Sequence, residues 1–187
     1  MEDALPWLCQ GDVFELLPQV VVSVGVGGTV ATKTEVGACL LVTHGCDLDK
    51  PQGRADDAPP RVERLQFLPL RDLDRQDQNR QNLLRRHELS PAEAIHVGPV
   101  SGVGDAFGVL SEMFYLPAGF FGLSLIGFPG HPEAEQGKRH LVASRHGNRA
   151  GRLGPDEALL LRQKMAAYWP RFDTTPQGDT DGEAEPQ

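Results

Sequence analysis

Apolar residues in this chain come mostly in short runs separated by turn formers, a spacing that predicts strands more often than helices. After the Gly11-Asp12 turn signal, Val13 onward alternates enough to start a strand, and Val20-Val21-Val22 predicts the start of a second. Gly25, Gly27 and Gly28 then form a flexible connection. This connection lacks the third glycine and the amphipathic helix of a dinucleotide loop. Ala38 to Thr43 is short, continuous and apolar, the pattern of a central strand buried on both faces. Residues 50–60 read as loop. In Val62 to Leu70, polar Arg64 and Gln66 alternate with apolar Leu65 and Phe67, which predicts a strand ended by Pro69. Further strands are expected at Glu112–Pro117, Leu123–Phe128 and Lys138–Ser144.

Helical periodicity is rarer. Arg71 to Glu88 holds good helix formers with little apolar periodicity, as expected of a solvated helix or insertion. Ser90-Pro91-Ala92-Glu93 fits a capping box with proline at the first helical position, followed too soon by Gly98-Pro99 for more than a turn or two. The clearest helix opens at Gly154-Pro155-Asp156-Glu157, where acids meet the positive end of the helix dipole. Ala158, Leu161, Met165 and Tyr168 follow at helical spacing, and Pro170 ends it. Strands closed by one C-terminal helix predict a mainly β fold, a small antiparallel barrel against which that helix packs. The expected organisation is a flexible N-terminus (1–6), one barrel domain (7–172) and a disordered acidic tail (173–187). Within the domain, 71–97 is a polar, partly helical insertion and 154–169 the C-terminal helix.

Composition narrows the function classes. A chain of 187 residues with 40% hydrophobic and 24% charged residues suits one globular domain with a real core. The net charge of -8 disfavours nucleic-acid binding by the whole surface and leaves room for a local basic patch. Cys9, Cys39 and Cys46 form no repeated C-x-x-C spacing, and Met1 to Pro6 is acidic and proline-broken, unlike a signal segment. A reducing, cytoplasmic setting is expected. No apolar run approaches the roughly 20 residues of a membrane span, so no membrane partner is expected.

Chemically capable groups concentrate in Thr43-His44-Gly45-Cys46-Asp47-Leu48-Asp49-Lys50, the turn that follows the most apolar strand. His44 and Asp47 are the candidate catalytic residues. Cys46, Asp49 and Lys50 are candidate binding residues beside them. His44, Cys46, Asp47 and Asp49 also carry donor atoms for a divalent ion, with His140 or His146 as outside ligands, and Cys46 with a histidine base has the makings of a nucleophile. The simpler reading is a small buried thiol and turn-capping carboxylates, so no cofactor or metal is assigned. A second cluster runs from Lys138-Arg139-His140 to Arg145, His146, Arg149 and Arg152, the densest basic segment of an acidic chain. Placed near the Cys46 turn it would make a groove suited to a phosphodiester or an acidic peptide. Trp7 and Trp169 read as packing residues. Phe114 and Tyr115 face opposite ways on a strand, so at most one lines a groove.

The order of Gly11-Asp12-Val13-Phe14, the turn after Thr43, Phe67-Leu68-Pro69-Leu70, Phe114-Tyr115-Leu116-Pro117 and Arg149-Ala150-Gly151-Arg152-Leu153-Gly154-Pro155 resembles an uncharacterised bacterial and phage-associated family. Gly154 stands where that pattern has serine. The family in turn distantly resembles the PemK/MazF-like fold. The resemblance implies an SH3-like barrel, a toxin-antitoxin-like or mobile-element locus, and homodimer pairing. RNA-cleaving members place an arginine-proline pair before the second hydrophobic strand, where this chain has Glu35-Val36-Gly37-Ala38, so no catalytic arginine carries over. The resulting expectation is a noncatalytic binding module for a protein or single-stranded RNA. Its alternatives are an endoribonuclease with an altered site and a metal-dependent hydrolase.

Overall fold

The computed structural model describes residues 1–24, 27–52, 58–88 and 94–168. Gly25, the Ser90–Glu93 capping signal, Trp169, Pro170, the acidic tail and part of the 50–60 loop lie outside the described residues.

Strand β1 (Asp12–Val24) pairs antiparallel with β2 (Val30–Leu41), and a register shift falls between Phe14 and Leu17. Val20 to Val22 therefore continue β1 instead of opening a second strand. The four-residue helix α1 (Gly45–Leu48) follows β2. Strand β3 (Arg64–Asp72) runs through Pro69, which pairs with Cys39, and does not stop there. Its partner strand changes near this point. Residues 64–67 pair with β6 (Phe114–Pro117) and residues 70–72 with β5 (Gly104–Val109), so the missing proline N–H falls where strand pairing is already interrupted.

The polar segment after β3 forms a 3-10 turn (Leu73–Arg75) and helix α2 (Gln78–Arg85), with Asp77 capping α2 through the Arg80 N–H. Strand β4 (Ala94–Val100) pairs with β5. Asp105 on β5 accepts from Arg85 of α2 at 2.8 Å and lies 2.6 Å from His96 of β4, fastening the insertion to the sheet. After β6 come α3 (Ala118–Phe121), the hairpin β7 (Leu123–Gly127) with β8 (Arg139–Ala143), β9 (Arg149–Arg152) and helix α4 (Pro155–Tyr168).

The main sheet has the order β4-β5-β3-β2-β1-β9, with β6 also on β3. It is antiparallel and open: among the described strands the outer members β4 and β9 do not pair. The closed barrel expected from the sequence is not found among the described strands. This sheet is instead covered on both faces by other elements. Val13, Ala38, Leu40, Val42, Leu68 and Leu70 belong to one core with Leu161, Met165 and Tyr168 of α4. Their strand neighbours Phe14, Cys39, Leu41 and Phe67 belong to a second core with Phe121 of α3 and Leu141 of β8. The alternation thus sends apolar side chains both ways, to a helix on one side and a hairpin on the other.

Two buried charges tie these layers together. Lys164 of α4 is buried and donates to the Ala94 carbonyl of β4 at 2.8 Å; burial holds its ammonium below the ordinary lysine range. Asp12, with no exposed surface, accepts from Arg149 at 2.7 Å and from the Cys9 N–H at 2.8 Å. Arg149 also donates to the Leu5 and Trp7 carbonyls, so one guanidinium joins the N-terminal segment, β1 and β9.

Arg149→Ala leaves the Asp12 carboxylate buried without its cation, and the expected cost is about 3–5 kcal/mol in chemical denaturation at neutral pH. Burial already pushes the Asp12 carboxyl up from 3.8 against the pull of Arg149. A raised folded-state pKa favours the fold below it and penalises it above. The deficit should therefore shrink as pH falls and Asp12 of the variant protonates. A pH-independent loss, or one under 1 kcal/mol (roughly the worth of an exposed pair), would refute this role.

Candidate functional site

The candidate site grows out of the buried end of β2. Beyond Leu41 the chain stays zipped to β3: the Val42 N–H donates to the Gln66 carbonyl at 2.9 Å, and the Gln66 N–H donates to Thr43 Oγ1 at 2.7 Å. Thr43 thus replaces a backbone acceptor with its hydroxyl as the strand ends. His44 then adopts the extended backbone of a helix N-cap, and its Nδ1 accepts the Cys46 N–H at 3.2 Å. Leu48 anchors the turn in the second core. Asp49 faces away from the turn's outer surface: its Oδ1 accepts the Leu141 N–H at 3.3 Å and its Oδ2 lies 3.1 Å from Lys138 Nζ. The turn is therefore held by β3 on one side and β8 on the other.

On the outer surface His44, Cys46, Asp47 and Lys50 converge. Cys46 Sγ lies 2.7 Å from His44 Nδ1, 3.9 Å from Asp47 Oδ1 and 3.9 Å from Lys50 Nζ. Lys50 Nζ donates to Asp47 Oδ1 at 2.9 Å. That hydrogen bond holds the Asp47 carboxyl below its ordinary value and raises the Lys50 ammonium. Cys46 is the exposed thiol; burial pushes half-buried Cys9 up to about 11 and buried Cys39 up to about 12.

Beside this cluster lies a cleft of about 670 Å³ between α4 and the first residues of β3 and β6. Such a volume is within the range of small-ligand sites. Arg162, Met165 and Ala166 of α4 form one wall, Val42, Thr43, His44 and Asp47 an end, and Arg64, Gln66 and Tyr115 the sheet side. Gln66 and Tyr115 are cross-strand partners in the β3–β6 register. The Arg64 guanidinium lies over the Tyr115 ring, 4.4 Å from its centroid. Among the described residues neither Arg64 nor Arg162 forms an ion pair. Gln66 is 8% exposed, lines the cleft, and its carboxamide has no hydrogen-bond partner among the described residues. The polar atoms of this carboxamide are open to the cleft and free to bond water or a ligand.

The structure brings His44, Cys46, Asp47 and Lys50 together. Of the 138–152 basic segment, Lys138 and His140 reach the turn at Asp49, but no residue of that segment lines the cleft. Arg149 is bound to Asp12 and two carbonyls, and Arg152 bridges Glu133 at 2.9 Å and Glu2 at 3.1 Å. His146 stacks on Phe120 with centroids 4.0 Å apart, and the Arg145 N–H donates to the Phe121 carbonyl. His140 is buried against Trp7, 4.4 Å between centroids, behind the turn, with its Nδ1 3.6 Å from Asp49. The expected groove between the two clusters is therefore replaced by one whose cations are Arg64 and Arg162. Phe114 packs on the second core and Tyr115 lines the cleft, as opposite facing on a strand requires. Sequence reasoning did not assign Arg64, Gln66 and Arg162 to a site. The signal for the first two lay in β3: Arg64 and Gln66 share a face with Leu68 and Leu70, so that face turns from apolar to polar within one strand.

No family model, curated protein or solved structure matches the chain.

Exposure and burial together set thiol reactivity. Native protein treated with iodoacetamide at mildly alkaline pH should take label at Cys46 well before Cys9 or Cys39. Peptide mass spectrometry checks the order, and Cys39 reacting as fast as Cys46 would contradict the arrangement of β2.

Proposed function

We propose that the cleft between α4 and β3 binds an anionic, hydrogen-bonding chain, and that the protein is a noncatalytic binding module for single-stranded RNA. One observation carries this reading: Arg64 and Arg162, without carboxylate partners among the described residues, flank a cleft at whose floor the Gln66 amide is unpartnered. Guanidinium groups suit phosphate oxygens, and an amide offering both a donor and an acceptor suits a base edge. The Arg64–Tyr115 stack adds a flat surface for a base.

Two features favour binding over cleavage. His44 Nδ1 is engaged by the Cys46 N–H at 3.2 Å and the Cys46 thiol at 2.7 Å, so this nitrogen faces the turn's own groups and not a ligand in the cleft. Asp47 is held by Lys50 below the ordinary carboxylate range, which weakens it further as a base at neutral pH. Kinship with PemK/MazF-like, SH3-like proteins belongs to the same proposal. It rests on the order of the Gly11-Asp12 opening, the Thr43–Lys50 turn and the Phe114–Pro117 strand, and not on barrel closure.

The test is fluorescence anisotropy with a labelled single-stranded RNA pool. Wild type should bind with an affinity that falls with salt. Arg64→Ala and Arg162→Ala should each weaken binding about tenfold across sequences and shrink the salt dependence by about one phosphate contact. Wild type that fails to bind at low salt, or arginine variants that bind as wild type does, would reject the reading. RNA cut by wild type and left intact by His44→Asn would replace it with a nuclease.

A further inference from the structure

We infer that the turn between β2 and β3 is a binding site for a divalent transition-metal ion of the zinc type, formed by His44, Cys46 and Asp47. The donor atoms of these three side chains all lie within 4.8 Å of one another, and all three residues are exposed. Imidazole, thiolate and carboxylate together form a ligand set that zinc accepts, and the thiol excludes magnesium or calcium as the preferred ion. The ion would have to compete with a cation already in place. The Lys50 ammonium already sits beside this cluster, 2.9 Å from Asp47 Oδ1 and 3.9 Å from Cys46 Sγ. Metal binding therefore requires the half-exposed Lys50 side chain to swing outward into solvent, leaving its carboxylate and sulfur neighbours to the ion.

The backbone beneath the donors is prearranged. Leu48 is buried in the core and Asp49 is bonded to β8, so the turn carrying the ligands is anchored before any ion arrives. Binding requires His44 Nδ1 to exchange the Cys46 N–H for the ion and Cys46 to release its thiol proton to water. Asp49, His140 and His146, the additional ligands suggested by the sequence, are directed to β8, to Trp7 and to Phe120. The remaining coordination positions are thus open to solvent, the arrangement of three protein ligands with a free position. The site adjoins the proposed RNA cleft, whose end His44 and Asp47 also line, but Arg64, Gln66 and Arg162 take no part in it, so metal binding can be read without RNA.

The full-length protein, reduced and freed of metal with a chelator, would be titrated with Co²⁺ and followed by absorption. One equivalent per chain should produce a thiolate-to-cobalt charge-transfer band in the near ultraviolet, and Zn²⁺ should abolish it by displacement. Cys46→Ser should remove the band. His44→Asn keeps a good N-cap residue and so preserves the turn. It should nevertheless lower Zn²⁺ affinity beyond the roughly 10–100-fold expected of a residue that merely supports a ligand. Asp47→Asn should weaken binding in the same direction. A wild type without the band, a band that survives in Cys46→Ser, or His44→Asn binding as tightly as wild type would each overturn the assignment.

Discussion

Residues Ala38 to Val42 are buried on both faces of the sheet, and the rest of the molecule is arranged around satisfying them. Ala38, Leu40 and Val42 need one apolar cover and Cys39 and Leu41 need another. Helix α4 supplies the first with Leu161, Met165 and Tyr168. The β7–β8 hairpin and α3 supply the second with Leu141 and Phe121. With both faces covered in this way, the described strands remain open at β4 and β9. Each fully buried apolar side chain here is worth about 1.5–3 kcal/mol, so the two covers are a large part of what makes the fold cooperative.

The same constraint creates the site. A strand buried on both sides must release its backbone polar groups when it reaches the surface. Here Thr43 takes over one acceptor role and His44 caps the turn that follows. Because α4 covers only part of the helix-side face, the sheet beyond its reach is left to Arg64, Gln66 and Tyr115. The cleft is the uncovered remainder of a face whose other residues form the core. Its position next to the His44–Lys50 turn follows from the Thr43–Gln66 pairing, which joins the end of β2 to the beginning of β3.

The charged groups divide by the company they keep. Arg149 and Arg152 have their guanidinium groups bound to protein acceptors and serve the fold. Asp49 and Lys138 fasten the turn from behind. Arg64 and Arg162 project at the cleft with no carboxylate among the described residues, and Lys50 is shared between a carboxylate and a thiol. In an acidic chain, a cation left without an acid is a more selective mark than a cluster of cations.

The sequence by itself determined the strands at Val13, residues 38–41 and 64–70, Phe114–Pro117, Leu123–Gly127 and Arg139–Ala143. It also determined the two-faced burial of Ala38 to Val42, the chemically loaded turn and the start of α4. These follow from local rules: side-chain alternation, helical spacing and capping act over a few residues and need no distant partner. It also carried, in Arg64 and Gln66 ahead of Leu68 and Leu70 on one face of β3, the mark of a face that changes character. It did not predict β4, β5 or β9, and residues 94–97 of β4 fall in a segment it reads as partly helical. Only the tertiary structure decided that the sheet stays open, that Val20 to Val22 continue β1, and that β3 runs through Pro69. It alone decided which basic residues are consumed. Arg149 meets Asp12 across 137 positions of chain, and Gln66 comes to line one cleft with α4 only after the helix returns over the sheet. Electrostatic partnership depends on distance in space, which residue spacing along a chain of this length does not encode.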